Sequence, residues 1–258
     1  MDHEAMSRFL DRYIQRKALG RWQRAIQHAD HAALSMLRRQ RDDARQLRGQ
    51  LEQMIQKADG RLVQPLIGST QFAKPLGTDW SWRPDLWRVP LARRGLASAS
   101  RKARLDTQVT LFHDCPLAEI AMQQVRNRHD KDLAPFSLSL EVFDFQGSFL
   151  SLSIELPVDA ARQLTRQHLI RAHAIISAER PTITFARLNV QHGPNTEQVL
   201  RELDPAMPEI AVDFDLAHLH VNERRIEKLW LDLIIDQPAM NRIVLRDLTF
   251  CRHHRADL

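Results

Sequence analysis

The sequence predicts a mainly β protein with an α-helical N-terminal part: long basic helices followed by an antiparallel β-sandwich, jelly-roll-like in type. Two observations carry this. Apolar residues recur every three or four positions through the first sixty residues, and every second position beyond Thr107. No helical period returns between the later alternating segments, as it would in a parallel α/β sheet.

The helical part comes first. Met6, Phe9, Leu10, Tyr13 and Ile14 lie at helical spacing among Arg8, Arg12, Arg16 and Lys17, and Gly20 is the expected break. A second helix is predicted over 21–58, with Ala33, Leu37, Gln40, Ala44, Leu47, Leu51, Met54 and Ala58 in alternating steps of four and three, the rhythm of a coiled-coil seam. Residues 33–58 are therefore a candidate surface for self-association or a partner protein. The alternative is fold-back onto the first helix, which the alanines and the single glutamine in the seam favour. Asp59-Gly60 is the expected stop.

Residues 60–104 read as an irregular connector, broken by Pro65, Gly68, Pro75, Gly77, Pro84, Pro90 and Gly95. Three of the five tryptophans, Trp80, Trp82 and Trp87, fall inside it. Tryptophans so placed pin a connector onto a neighbouring sheet more often than they serve as ligand platforms or a membrane anchor.

The β-domain spans 105–258 and yields about eight predicted strands. Phe136, Leu138, Leu140 and Val142 alternate with small or polar residues, as do Leu150, Leu152, Ile154 and Leu156, and Ile210, Val212, Phe214 and Leu216. The other segments are 107–113, 168–176, 181–190, 226–235 and 242–251. Pro157 opens one helical turn, and residues 116–128 fit helix or strand equally. The organisation is thus a helical segment over 1–59, a connector over 60–104 and a sandwich over 105–258.

Charge is divided unevenly. Residues 1–104 hold 21 Lys and Arg against 10 Asp and Glu, and the remainder 16 against 22. A basic first part suits a protein partner, an anionic membrane or a nucleic acid, or the chain's own acidic half. Aromatics are sparse around Arg38-Arg39-Gln-Arg41 and Arg101-Lys102-Ala-Arg104, so nucleic acid is not favoured. No apolar run is long enough to span a bilayer: Leu229–Ile235 is short and interrupted by Asp232. Charged residues near Met1 break any secretory signal, and with only Cys115 and Cys251 the expectation is a cytoplasmic protein carrying two buried thiols.

No catalytic signature is present. The eight glycines are scattered, whereas a phosphate-cradling loop needs them clustered. There is no His-Glu-x-x-His, no Cys-x-x-Cys and no Gly-x-Ser-x-Gly. His218 and His220 are expected on one strand face, where a third ligand would be needed to hold zinc. No metal site and no cofactor are assigned.

One constellation points to a ligand. Trp230 and Asp232 lie opposite Leu229, Leu231 and Leu233 on their strand; Arg187 and Asn189 share a face of the 181–190 strand; Asp213 and Asp215 oppose the apolar set of theirs. Brought onto one open sheet, these would set an indole among carboxylates, an amide and a guanidinium. A ring of that kind stacks on the apolar face of a sugar while the polar groups hold its hydroxyls. His192 and Asn195, in the turn sequence His192-Gly-Pro-Asn195-Thr-Glu, are candidate contacts from a loop or members of a helix cap. The leading reading is a non-enzymatic protein that binds a carbohydrate or glycoconjugate. The alternative is an assembly protein that uses its basic helix to bind a protein, an anionic membrane or nucleic acid.

Several phrases resemble a known family. They are Phe143 to Pro157, Ala186 to Gln198, Val244 to Phe250, Arg255 to Leu258, and Trp80-Ser-Trp-Arg-Pro. Together they are similar to a family of alphaproteobacterial proteins catalogued as a domain of unknown function, from about residue 75 onward. The resemblance implies a bacterial, cytoplasmic protein and carries no activity.

Overall fold

A computed structural model describes residues 3–66, 72–128 and 132–255. In chain order the elements are α1 (His3–Gln27), α2 (Leu34–Leu66), β1 (Thr78–Trp82), α3 (Asp85–Arg88), β2 (Gly95–Leu96), β3 (Lys102–Arg104), β4 (Val109–His113), β5 (Ile120–Arg126), β6 (Phe136–Val142), β7 (Leu150–Glu155), β8 (His168–Ala178), β9 (Thr184–His192), β10 (Asn195–Leu203), β11 (Glu209–Asp215), β12 (Ile226–Ile235) and β13 (Asn241–His254). The chain divides into two units, Met1–Ala58 and Asp59–Leu258.

The helices depart from expectation at Gly20 and Gly60. α1 runs through Gly20 and α2 runs through Gly60 to Leu66. A lone glycine costs about 1 kcal/mol relative to alanine in a helix interior, too little to end a helix that its neighbours favour. The break falls at a short 3-10 turn, Ala29–His31, with Ala32 extended after it. An ion pair joins Arg21 of α1 to Asp43 of α2 at 3.7 Å, but both side chains are well exposed and such a pair adds little. None of the side chains described in α1 and α2 is buried.

The second unit is a jelly roll. One sheet runs β11-β8-β13-β6-β5-β2, with β1 pairing β13 off that path; the other runs β10-β9-β12-β7-β4-β3. All pairings are antiparallel. Within this, β6 to β13 interleave as 6-13-8-11 and 7-12-9-10, two four-stranded halves whose consecutive strands mostly cross from sheet to sheet. Inward side chains of both sheets, among them Leu138, Leu140, Ile170, Phe214 and Phe250 facing Leu111, Leu152, Ile154, Leu188, Leu231 and Leu233, form one core. The alternation seen in sequence is this division between core and outer face.

The connector is less irregular than its breakers suggest. β1, β2 and β3 all lie within 60–104 and extend the two sheets. Its tryptophans are pinned: Trp87 is fully buried and donates Nε1–H to the Leu245 carbonyl at 2.9 Å, and Trp82 stacks between Trp80 and Phe250. Between Trp82 and Trp87, Arg83 makes a two-pronged ion pair with Asp247 of β13, Nε to Oδ1 at 2.9 Å and Nη2 to Oδ2 at 2.8 Å, with both groups buried. The ambiguous segment 116–128 contains strand β5. Both cysteines are buried and free.

Candidate functional site

The outer face of the six-stranded sheet carries a groove of about 600 Å³. Antiparallel register makes it a grid, because residues directly opposite one another share a face. One row runs Gln198, Asn189, Trp230, Glu155 across β10, β9, β12 and β7. The next runs Leu200, Arg187, Asp232, Ser153, Thr110, Arg104, reaching β3 through β4. A third runs Ile234, Ser151, Phe112, Lys102.

Near the centre stands Trp230, its ring half-buried and open to the groove. Lys228, two residues earlier on the same face, places Nζ 5.9 Å from the ring centroid and 2.9 Å from Glu155 Oε2. Asp232, two residues later, accepts at Oδ2 from Arg187 Nη2 and from Asn189 Nδ2, each at 2.9 Å. The polar groups beside the indole are therefore held in place before any ligand arrives. Phe112 and the exposed Phe149 add apolar surface at the other end.

Of the residues singled out from sequence, the structure brings together Trp230, Asp232, Arg187 and Asn189. Asn189 lies beneath the surface, 1% exposed, and positions Asp232. The others are elsewhere. Asp213 and Asp215 are on β11, at the edge of the opposite sheet, where Asp213 pairs two-pronged with Arg171 and Asp215 lies 3.6 Å from Arg255. Their local pattern matched that of Trp230 and Asp232, but a period of two does not say which of two sheets a strand joins. His192 shares the buried face of β9, its Nδ1 accepting from the Asn222 backbone N–H at 3.2 Å. Asn195 is exposed and opens β10, paired with His192 across Gly193 and Pro194. The helix-cap reading of this stretch is replaced by a hairpin, whose turn Gly193 enters at a φ of +59°.

Sequence reasoning missed Glu155, Gln191, Lys228, Thr110, Ser151 and Ser153 as groove residues. Each is the outward partner in an alternating strand, so the signal existed. What was lacking was the order of the strands.

His218 and His220 lie beyond the end of β11, both exposed. Among the described residues, Asp79, His168 and His254 do place ligand atoms within 4.8 Å of one another. That donor set is already engaged. Arg252 donates to both Asp79 oxygens at 2.8–3.1 Å, and His168 Nδ1 accepts the Thr165 backbone N–H at 3.1 Å, which leaves the neutral ring's proton on Nε2, 3.6 Å from Asp79. Burial alone would raise the Asp79 carboxyl, but Arg252 and His168 outweigh it and hold it below the ordinary value. Burial, with the charges of His254 and Arg252, pushes the His168 imidazole down. The cluster suits an internal ion pair better than a cation site.

Fold and groove together define a jelly-roll β-sandwich with an aromatic-centred polar groove on one open face and a helical unit before it. The chain belongs to the family of unknown function DUF6478, whose model matches residues 1–258, helices included. No curated protein matches it. Among solved structures it is similar to the enzymatically active domain of bacteriophage CBA120 tailspike protein 4 (8% identity, TM-score 0.42), covering 62% of this chain but only 22% of that one. It is also similar to the family 11 carbohydrate-binding module of cellulosomal cellulase Lic26A-Cel5E of Clostridium thermocellum (9%, TM-score 0.40; 59% and 91% of the two chains). A third is the C-terminal family 22 carbohydrate-binding module of Clostridium thermocellum Xyn10B (9%, TM-score 0.36; 59% and 88%).

Proposed function

We propose that this protein binds a carbohydrate on the outer face of its six-stranded sheet. The observation that carries the proposal is the half-open Trp230 indole in a 600 Å³ groove, flanked by the preset pairs Glu155–Lys228 and Asp232–Arg187. The ring offers an apolar platform to the C–H face of a sugar. Carboxylates, amides and hydroxyls at fixed positions beside it accept from and donate to the sugar's own hydroxyls. A rigid sheet presents these groups with little ordering cost on binding. Glycan-array screening of the full chain, with Trp230→Ala alongside, tests this. Binding that Trp230→Ala removes while the melting temperature holds supports the proposal. Absence of any glycan signal, or a signal indifferent to Trp230, refutes it.

A second reading concerns the helical unit. Leu47, Leu51 and Met54 of the seam are 38%, 54% and 64% exposed. Their steps of four and three fit a second copy of the same helix, whose apolar stripe would bury them. Light scattering on the full chain, with Leu47→Lys and Leu51→Lys together, tests it: a dimer converted to monomer supports association, and a monomeric wild type excludes it.

A further inference from the structure

The groove is not evenly charged. Six ionic side chains line it: Lys102, Arg104, Arg187, Lys228, Glu155 and Asp232. Four of them close on one another as Arg187–Asp232 and Lys228–Glu155, both at 2.9 Å. The remaining two, Lys102 and Arg104, make no ion pair among the described residues. Arg104 Nε donates to Thr110 Oγ1 at 3.2 Å, and Lys102 Nζ lies 5.6 Å from the Phe112 centroid. Both are exposed, and the buried Ala103 between them shows that they share the outward face of β3. Two unneutralised cations thus sit side by side at one end of the groove.

We infer that the ligand is an acidic oligosaccharide, with a sugar ring on Trp230 and a carboxylate or sulfate group on Lys102 and Arg104. This rests on the carbohydrate reading above and narrows it. Arg104 lies three strands from the β12 strand of Trp230 and one row away, roughly 15 Å at about 4.8 Å between strands. A single sugar ring does not span that distance, so occupancy of both ends requires a chain of sugars. Anions gain most where the cations lack partners, and a guanidinium beside an ammonium supplies several charge-assisted hydrogen bonds. Lysine on an edge strand such as β3 also discourages edge-to-edge pairing. That role does not require two cations aimed at one groove, with an aromatic ring beneath the lysine.

Single-stranded nucleic acid would also stack on an indole and seek cations. Its phosphates repeat at every nucleotide, however, and would pass the carboxylates of Asp232 and Glu155 in the middle of the groove. A sugar chain meets those carboxylates with hydroxyl donors. The charge pattern therefore favours a glycan that is anionic at one end of the groove and neutral in its middle.

The test uses the full chain on an array of neutral, uronate-bearing and sulfated oligosaccharides together with single-stranded oligonucleotides. Titration calorimetry follows on a bound acidic glycan and on its carboxyl-reduced or desulfated counterpart, which separates the two anion sources. The acidic form is expected to bind about tenfold more tightly than the neutralised form. Lys102→Gln with Arg104→Gln should remove that difference, whereas Trp230→Ala should weaken binding of both forms. Equal affinity for the two forms, or a preference that survives the double variant, overturns the acidic assignment and leaves the carbohydrate reading standing. Binding of oligonucleotides alone, or of nothing on the array, overturns both. Matched melting temperatures for the variants confirm that folding is unaffected.

Discussion

The buried pair Arg83–Asp247 gives the most quantitative prediction. In Asp247→Leu the guanidinium stays where it is, 1% exposed at its side chain, with the Phe72 ring 5.2 Å away but its carboxylate gone. Taking the carboxylate away from a buried guanidinium in this way costs about 3–5 kcal/mol. At about 2–4 °C per kcal/mol for a unit of roughly 200 residues, that lowers the melting temperature by roughly 6–20 °C. Adding Arg83→Met removes the guanidinium as well and fills the space with an apolar chain, so the double variant should recover most of the loss. Urea denaturation of wild type, both single variants and the double closes the cycle. Were Asp247→Leu to cost under about 1 kcal/mol, or the double variant as much as the two singles added, the reasoning would fail.

Trp87→Phe keeps an aromatic ring but removes the indole N–H that donates to the buried Leu245 carbonyl at 2.9 Å; a loss of about 1–3 kcal/mol is expected by urea denaturation. Gly147→Ala should also destabilise, by about 1–3 kcal/mol, because the added Cβ would meet Asp114 Oδ1 and lie 2.8 Å from the Cys115 backbone N, displacing the carboxylate that holds Ser148 and Phe149. The folded chain disfavours protonated His168, so the unfolded chain takes up the proton first; stability should therefore be full above about pH 6.5 and decline as pH falls below it toward the depressed folded value. His168→Gln should flatten that part of a melting-temperature profile against pH.

The division between helical and alternating halves was legible because side-chain period is a local property. Trp230 and Asp232 could be placed on an outward face from Leu229, Leu231 and Leu233 alone. Pairing is not local, and there the sequence misled. Asp213 and Asp215 carry the same signature as Asp232 but belong to the other sheet. β10 escaped notice because it is an edge strand, mostly exposed on both faces, and Asn195-Thr-Glu imitates a helix cap. Arg83 gave no hint of burial, since its partner lies 164 residues away. Lys102 and Arg104 stood out as basic, yet their place beside Phe112 depends on a register that only the assembled sheet defines.

The interleaved order of the sandwich also bears on how the chain reaches its fold. β13 is the last of the described strands in sequence, yet it lies between β6 and β8 in the seven-stranded sheet, and β1 pairs with it as well. While the polypeptide emerges from the ribosome, β6 and β8 must wait without their common neighbour until residues 241–254 have been made. Closure over such long sequence separations is intrinsically slow. Nascent chains should therefore expose the unpaired edges of β6 and β8 until residues 241–254 have left the ribosome, a state prone to misassembly.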